Sequence, residues 1–285
     1  MDSQYIKNFS EVNIIDEYAK GRNNYFLGDT YQFLDGKKVT IPEGFVITSK
    51  AFDYFIHESK LQEKLSDILS KLDKKKFTNL KEISSLARAL IKSSELPDKL
   101  KDEITIAKSL LKHPVRSALR LAVGSGTKND LSCESILKCS QCLIFNISDL
   151  EELYKACLKC YALLFTETEI KYRIVNNYDL FDGGISVYVK KMVRSDLACS
   201  GIIYGTDPET NVDSDNSIRI DGCWGMVANI AFEKIIPDRF YVSLPPSHYE
   251  YEDFRIISKN SRHKRQDLDI FQQAESKQRC NICKY

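Results

Sequence analysis

Apolar residues recur at helical spacing through the first half of the chain. From Ser49 to Leu111 they fall at Ile68, Leu69 and Leu72, then at Leu86, Leu90 and Ile91, then at Leu100, Ile104 and Leu111. That period predicts a run of helices with one buried stripe each. Pro97-Asp98 marks a helix start. Before this run the pattern is irregular or mixed until VTIPEGFVIT, where Pro42 and Gly44 make a turn and Phe45–Thr48 has strand character. The Lys-rich segment 71–76 reads as a solvated helix end and turn.

From Val115 the pattern changes to short apolar runs alternating with helices. Strands are expected at Leu119–Val123, Cys142–Ile147, Ile185–Val193, Gly201–Tyr204, Ile218–Ile220 and Phe240–Leu244. One long helix is expected from about Asp149 to Tyr172, with Ser148-Asp149-Leu150-Glu151 supplying its N-cap and first-turn acids. Trp224-Gly225 precedes a helix-like or extended segment. After Ser247 the chain turns polar, and its HKR run reads as solvated. Strands mixed with helices in this way argue an α/β or α+β fold with two lobes. Three regions follow: a helix-rich N-terminal part of the first lobe at 1–112, alternating strands and helices at 113–247, and a poorly ordered polar tail at 248–285.

Composition narrows the function classes. A length of 285 residues suits two lobes of about 100–200 residues each. Lys plus Arg total 41 against 40 for Asp plus Glu, so there is no bulk attraction to nucleic acid or to an acidic membrane. No run is long enough to span a bilayer, and MDSQYIKNFSEVN is no signal peptide, so the expected location is the cytoplasm. Six of nine cysteines fall in CxxC pairs, at Cys139/Cys142, Cys157/Cys160 and Cys280/Cys283. The first two pairs have a spacing close to that of a zinc site, the alternative being buried free thiols in a reducing compartment. Pattern and composition name no reaction.

Five stretches, in order, resemble the N-terminal nucleotide-binding domain of the phosphoenolpyruvate synthase and pyruvate phosphate dikinase family. VTIPEGFVITSKAFDYFI (39–56) resembles its Pro-x-Gly-Phe-x-Ile/Val-Thr segment, and HPVRSALRLA (113–122) its Val-Arg-Ser-Ser stretch. CYALLFTETEIKYR (160–173) is similar to the family helix that ends in Tyr-Arg. ISVYVKKMVRSDLACSGIIYGTDPET (185–210) resembles the Val-x-Val-Gln-x-Met-Val segment and the turn after it. IDGCWGMVANIAFEKIIPDRFYV (220–242) resembles the Trp-Gly-Leu-Gly-Glu helix and Pro-Asp-x-Tyr.

The resemblance implies an ATP-grasp-like fold, two lobes with mixed sheets around a nucleotide cleft. It implies ATP and Mg²⁺ as cofactors, and phosphoryl transfer to a histidine on a downstream domain or on a separate chain that also carries the acceptor domain. Arg116 matches the family arginine on the ATP phosphates, a job suited to a planar guanidinium, and is the expected catalytic residue. The resemblance implies that residues 113–247 form the ATP-grasp lobes with an inter-lobe segment near 187–195, and Lys190, Met192 and Val193 match the part of it that holds the adenine, with Lys190 in place of the usual Gln. DPET (207–210) is implied to form a turn first, with Asp-Pro setting it and Thr210 capping it.

Other positions depart from the family pattern. Asn23 stands at the place of a phosphate-contacting lysine, leaving Lys20 or Arg22 as substitutes. Ala118-Leu119-Arg120 replaces Ser-Ala-Thr, and VGSGTKND (123–130) carries glycines at the wrong place for the phosphate loop. Counting back from Phe145-Asn146-Ile147, the loop's Gly falls on Cys139 and its Thr on Leu143. Gly225-Met226-Val227-Ala228 replaces the Gly-Leu-Gly-Glu helix start. The late Glu, Gln and Arg segment that binds Mg²⁺ and phosphate has no match, QDLDIFQQ (266–273) included, so no metal ligand is assigned. Three functions stay open: an ATP-dependent phosphotransferase working with a partner chain, a non-catalytic relative that binds nucleotide or a partner, and a zinc-stabilised interaction module.

Overall fold

The computed structural model describes residues 4–12, 29–34, 39–111, 119–127, 143–179, 181, 185–195, 198–205, 217–231, 234–243 and 255–260. Internal contacts divide the chain into two compact units, Met1–Met192 and Val193–Tyr285.

In chain order, the first unit contains β1 (Ile6–Asn8), β2 (Gly44–Ile47), α1 (Ser49–Glu58), α2 (Leu61–Ser70), α3 (Leu80–Lys92) and α4 (Asp98–Leu110). It continues with β3 (Leu121–Thr127), β4 (Leu143–Ile147), α5 (Leu150–Tyr161), α6 (Glu167–Val175) and β5 (Ile185–Lys191). Its strands form one sheet in the order β1-β2-β5-β3-β4, antiparallel at every pairing.

Alternation along the strands gives this sheet two different faces. Phe45, Ile47, Leu121, Val123, Ile185, Val187 and Val189 join the helices in one core. The expected stripes meet them in part: Leu100, Ile104 and Leu111 are buried, as is Ile91 of α3, whereas Leu86 is 49% exposed and the buried face of α3 runs through Ile83, Ala87 and Ile91. At the centre, Tyr161 sits between Phe52 (ring centroids 5.1 Å apart, edge-on) and Phe55 (5.4 Å, stacked). Offset and edge contacts of this kind suit the quadrupole of the rings.

The single helix expected from Asp149 to Tyr172 is two helices. α5 starts as anticipated: the Asp149 side chain accepts from the Glu152 amide at 2.8 Å, and Glu152 accepts from the Ser148 amide at 2.8 Å. A 3₁₀ turn at Ala162–Phe165 then ends it, and α6 begins afresh with Thr166 as its N-cap. The Phe165 carbonyl finds a partner across the core, in the Ser84 hydroxyl at 2.7 Å. That long-range bond satisfies a buried acceptor that local periodicity does not reveal.

The second unit contains β6 (Cys199–Tyr204), β7 (Ser217–Trp224), α7 (Ala228–Ala231), β8 (Asp238–Ser243) and β9 (Arg255–Asn260), with a sheet in the order β6-β7-β8-β9. β9 stands past Ser247, where the sequence pattern suggested no element. The pairings here are antiparallel too. The class is thus mixed helix and sheet, on the α+β side of the two expected.

Candidate functional site

The face of the first sheet turned away from the helices carries the candidate chemistry. Its centre is β5, where Ser186, Tyr188 and Lys190 alternate with the core residues. Register places Gly44 of β2 and Ala122 of β3 on either side of Lys190, and Val46 and Gly124 on either side of Tyr188. A small aromatic and aliphatic cluster covers part of this face: Phe9, Val12, Val46 and Tyr188, with Tyr31 and Leu143 packed against it.

Two glycines make room for the rings of that cluster. A side chain on Gly44 would overlap the Phe9 ring, and one on Gly124 would overlap the Tyr188 ring. Lys190 stands beside them, half-buried, with its ammonium 5.9 Å from the Tyr188 ring centroid. Burial lowers its pKa from the ordinary 10.5, because desolvation penalises the charged amine. Its neighbour Lys191 points the other way and pairs with Glu43 at 3.0 Å.

Backbone hydrogen bonds fix the end of this strand. The Lys191 amide donates to the Glu43 carbonyl at 2.9 Å, and the Met192 amide to the Arg120 carbonyl at 2.8 Å. Met192 is half-buried, whereas Val193 is 62% exposed. The segment Lys190–Val193 is therefore held at its start and open at its end.

A second charged group lies within the other unit. Arg219 grips Asp221 with two bonds, at 2.9 and 2.7 Å, and Arg239 adds a third at 3.3 Å. Asp221 and Arg219 are buried, and the Arg219 guanidinium lies 5.4 Å from the Tyr204 ring centroid. Burial, and next the Asp221 charge, raise the Tyr204 pKa. Meanwhile Ile203 and Trp224, whose side chains alternate with these, are 66% and 67% exposed. The sequence pattern flagged the isoleucines of this strand and missed the ion cluster; the alternation Arg219, Asp221 between apolar residues was the available signal.

Comparison with known proteins bears on what this face does. A family model described as "Pyruvate phosphate dikinase, AMP/ATP-binding domain" matches residues 20–282. The chain belongs to that dikinase family. It is similar to the phosphoenolpyruvate synthase of Synechocystis sp., 36% identical over 243 residues, covering 83% of this chain and 29% of that protein. The phosphoenolpyruvate synthase of Helicobacter pylori is 32% identical over 244 residues, covering 85% and 30%. A probable phosphoenolpyruvate synthase of Methanothermobacter thermautotrophicus is 27% identical over 269 residues, covering 93% and 37%. The chain thus spans about a third of the length of the relatives it matches.

The structure of this dikinase-family domain brings Lys190 and Met192 together on one strand end, with Val193 next in chain. Arg116, Lys20 and Arg22 lie outside the described residues, as do Asn23 and the DPET turn. VGSGT, whose glycines are misplaced for the phosphate loop, forms strand β3, where Gly124 makes room for the Tyr188 ring. Leu143 pairs with Gly124 at the start of β4 and packs on the Phe9–Tyr188 cluster. A hollow of about 340 Å³ elsewhere in the first unit, lined by Gln4, Tyr5, Lys50, Asp53, Tyr54 and His57, contains none of the expected site residues.

Two metal expectations meet the described residues differently. Cys157 and Cys160 are fully buried thiols inside α5, packed in the main core; Cys139, Cys142, Cys280 and Cys283 lie outside the description. Among the described residues no three His, Cys, Asp or Glu side chains converge. The described residues therefore supply no Mg²⁺ ligand set. No helix among the described residues is long and apolar enough to cross a membrane.

Proposed function

We propose that this chain binds ATP, with the base against the segment Lys190–Val193 and Arg116 against the phosphates. The observation that carries the reading is the match of residues 20–282 to an AMP/ATP-binding domain. Two features support it. The strand end offers the apolar side chains of Met192 and Val193 beside a half-buried cation, a mixture that purine sites use. Arg116 supplies a planar fork of donors for phosphate oxygens, and Lys20 or Arg22 adds charge near the start of the matched region. In this reading the chain is the nucleotide-binding part of a phosphotransferase in the cytoplasm. A histidine-bearing domain, on a longer or a separate chain, receives the phosphoryl group, and Mg²⁺ accompanies the ATP.

Leu143 favours a second reading, nucleotide binding without turnover by this chain alone. It fills the place where the family pattern puts a phosphate-loop threonine, and it packs on an aromatic cluster. Losing one preorganised donor costs roughly 2.7–4 kcal/mol of transition-state stabilisation. Asn23 in place of the lysine adds a second loss of the same kind.

The test is thermal unfolding with and without millimolar Mg-ATP. A ligand selective for the folded state raises the melting temperature. A rise in the wild type, abolished by Arg116→Ala, supports the proposal. An unchanged melting temperature in the wild type rejects it. ATP hydrolysis or transfer by the isolated chain rejects the second reading.

A further inference from the structure

We infer that Lys190 is a carbonyl-reactive amine, a site at which this chain condenses with a small uncharged aldehyde to form an imine. The inference concerns the chemistry of one side chain and holds whether or not a nucleotide occupies the strand end.

Its surroundings set this lysine apart. Lys190 stands on the central strand of its sheet, half-buried, on the face turned away from the helices. Its cross-strand neighbours are Gly44 and Ala122, neither of which brings a polar side chain. The Phe9 ring fills the space above Gly44, and the Tyr188 ring centroid lies 5.9 Å from the ammonium. Nearby charges are engaged elsewhere. Glu43 pairs with Lys191 on the other side of the strand, and the charge of Arg120 bears on Glu152. Lys7, on the same face as Tyr188, is two strands away on β1. The phenols of this face are Tyr188 and Tyr31. No carboxylate among the described residues pairs with Lys190.

An ammonium in apolar surroundings without an anion is costly, so the neutral amine is favoured there. Burial accordingly lowers the Lys190 pKa, with desolvation as the cause. The neutral amine is the nucleophile, and lysines desolvated in apolar pockets are the ones that form imines. The step balances without redox chemistry. The Nζ lone pair bonds to the aldehyde carbon while the C=O π pair moves to oxygen, and a proton passes from nitrogen to that oxygen. The remaining N–H proton and the new hydroxyl then leave as water, and a C=N bond is left. The product needs no charge on nitrogen, so condensation also relieves the desolvation penalty. The Phe9 and Tyr188 rings and the Ala122 methyl suit an apolar body on the aldehyde.

Labelling of the full chain with benzaldehyde and cyanoborohydride, read by peptide mass spectrometry, tests this. The reductant converts each imine into a stable secondary amine, and the other lysines serve as internal references. At pH 7 Lys190 is expected to be labelled several-fold faster than Lys7 and than Lys191, which is tied to Glu43 at 3.0 Å. Its rate should level off at a lower pH than theirs, because its neutral form is reached sooner. Ala122→Asp puts a carboxylate beside Lys190. That partner should hold the ammonium charged and slow labelling at Lys190, with the rate at Lys191 unchanged. Far-UV circular dichroism shows whether the variant folds, and the wild-type rates and pH profile need no variant. Labelling of Lys190 no faster than that of Lys7 and Lys191, or one pH profile shared by all three, overturns the inference. So does a rate at Lys190 unmoved in a folded Ala122→Asp variant.

Discussion

The ring of Tyr188 occupies the space that a side chain on Gly124 would need. The two residues face each other across β5 and β3, and Tyr188 is 5% exposed. A methyl group on Gly124 would drive into the ring, and the cluster with Phe9, Val12 and Val46 leaves the ring little room to yield. Gly124→Ala is expected to destabilise the chain by about 1–3 kcal/mol, the usual range for overpacking. Tyr188→Ala in the same background should recover part of the loss, because the clash then has no second partner. Urea unfolding of the two single variants and the double variant gives the coupling. Additive losses would show that the ring is free to move aside.

Glu169 and Arg173 form an ion pair one turn apart on α6, with Nε to Oε1 at 2.8 Å and side chains 8% and 4% exposed. Arg173 Nη1 also donates to the Asp179 carbonyl at 3.3 Å. Breaking such a buried pair on one side costs about 3–5 kcal/mol, while replacing both partners by apolar groups of similar volume is often near neutral. Arg173→Met should therefore be severe, and Arg173→Met with Glu169→Leu milder. Denaturant midpoints of the two variants decide it. Equal losses would assign the cost to the Asp179 bond instead of the charge.

Much of this was legible in the sequence, for identifiable reasons. The helical run from Ser49 to Leu111 follows from its apolar period, since each helix buries a single face; which face is another matter, because Leu86, counted on the stripe of α3, is 49% exposed and the buried line is Ile83, Ala87 and Ile91. β5 could be placed from its apolar run, and Lys190 and Met192 do sit at its end. The break at Thr166 could not be read, because its stabilising partner is Ser84, far away in sequence. VGSGT carries glycines where no phosphate loop is expected, and it forms strand β3. Its glycine is there because a neighbouring strand carries a tyrosine, a fact of register. The Arg219–Asp221–Arg239 cluster was hidden for the opposite reason: charged residues on a strand suggest solvent, and here Arg219 and Asp221 are buried and Arg239 is half-buried.

Asp221 holds two guanidiniums, and Arg219 beside it is 5% exposed. Asp221→Ala would leave both cations on a buried face without the carboxylate that bridges them. A loss of about 3–5 kcal/mol is expected for the second unit. Hydrogen exchange should show it as faster exchange through β7 and β8, with the amides of β2 and β5 unaffected. Uniform acceleration over both sheets would mean that the two units unfold together.

Lys190 makes stability depend on pH in a predictable direction. In the unfolded chain its ammonium titrates near the ordinary 10.5; in the folded chain burial lowers that value. Between the two values the unfolded chain holds more protons than the folded one, so stability rises with pH across that window. Below the window both states are protonated, and the full desolvation penalty of the charged amine is present. Lys190→Met removes the penalty and also the contact with the Tyr188 ring, and the first effect is the larger because the ammonium lies 5.9 Å from the ring and has no anionic partner among the described residues. The variant should therefore be more stable than the wild type at pH 7, with the advantage shrinking as pH approaches 10.5. Urea midpoints of both proteins at pH 7, 8, 9 and 10 would trace it, other titrating groups cancelling in the difference. A difference that stays constant over that range would mean that the amine is as well solvated folded as unfolded.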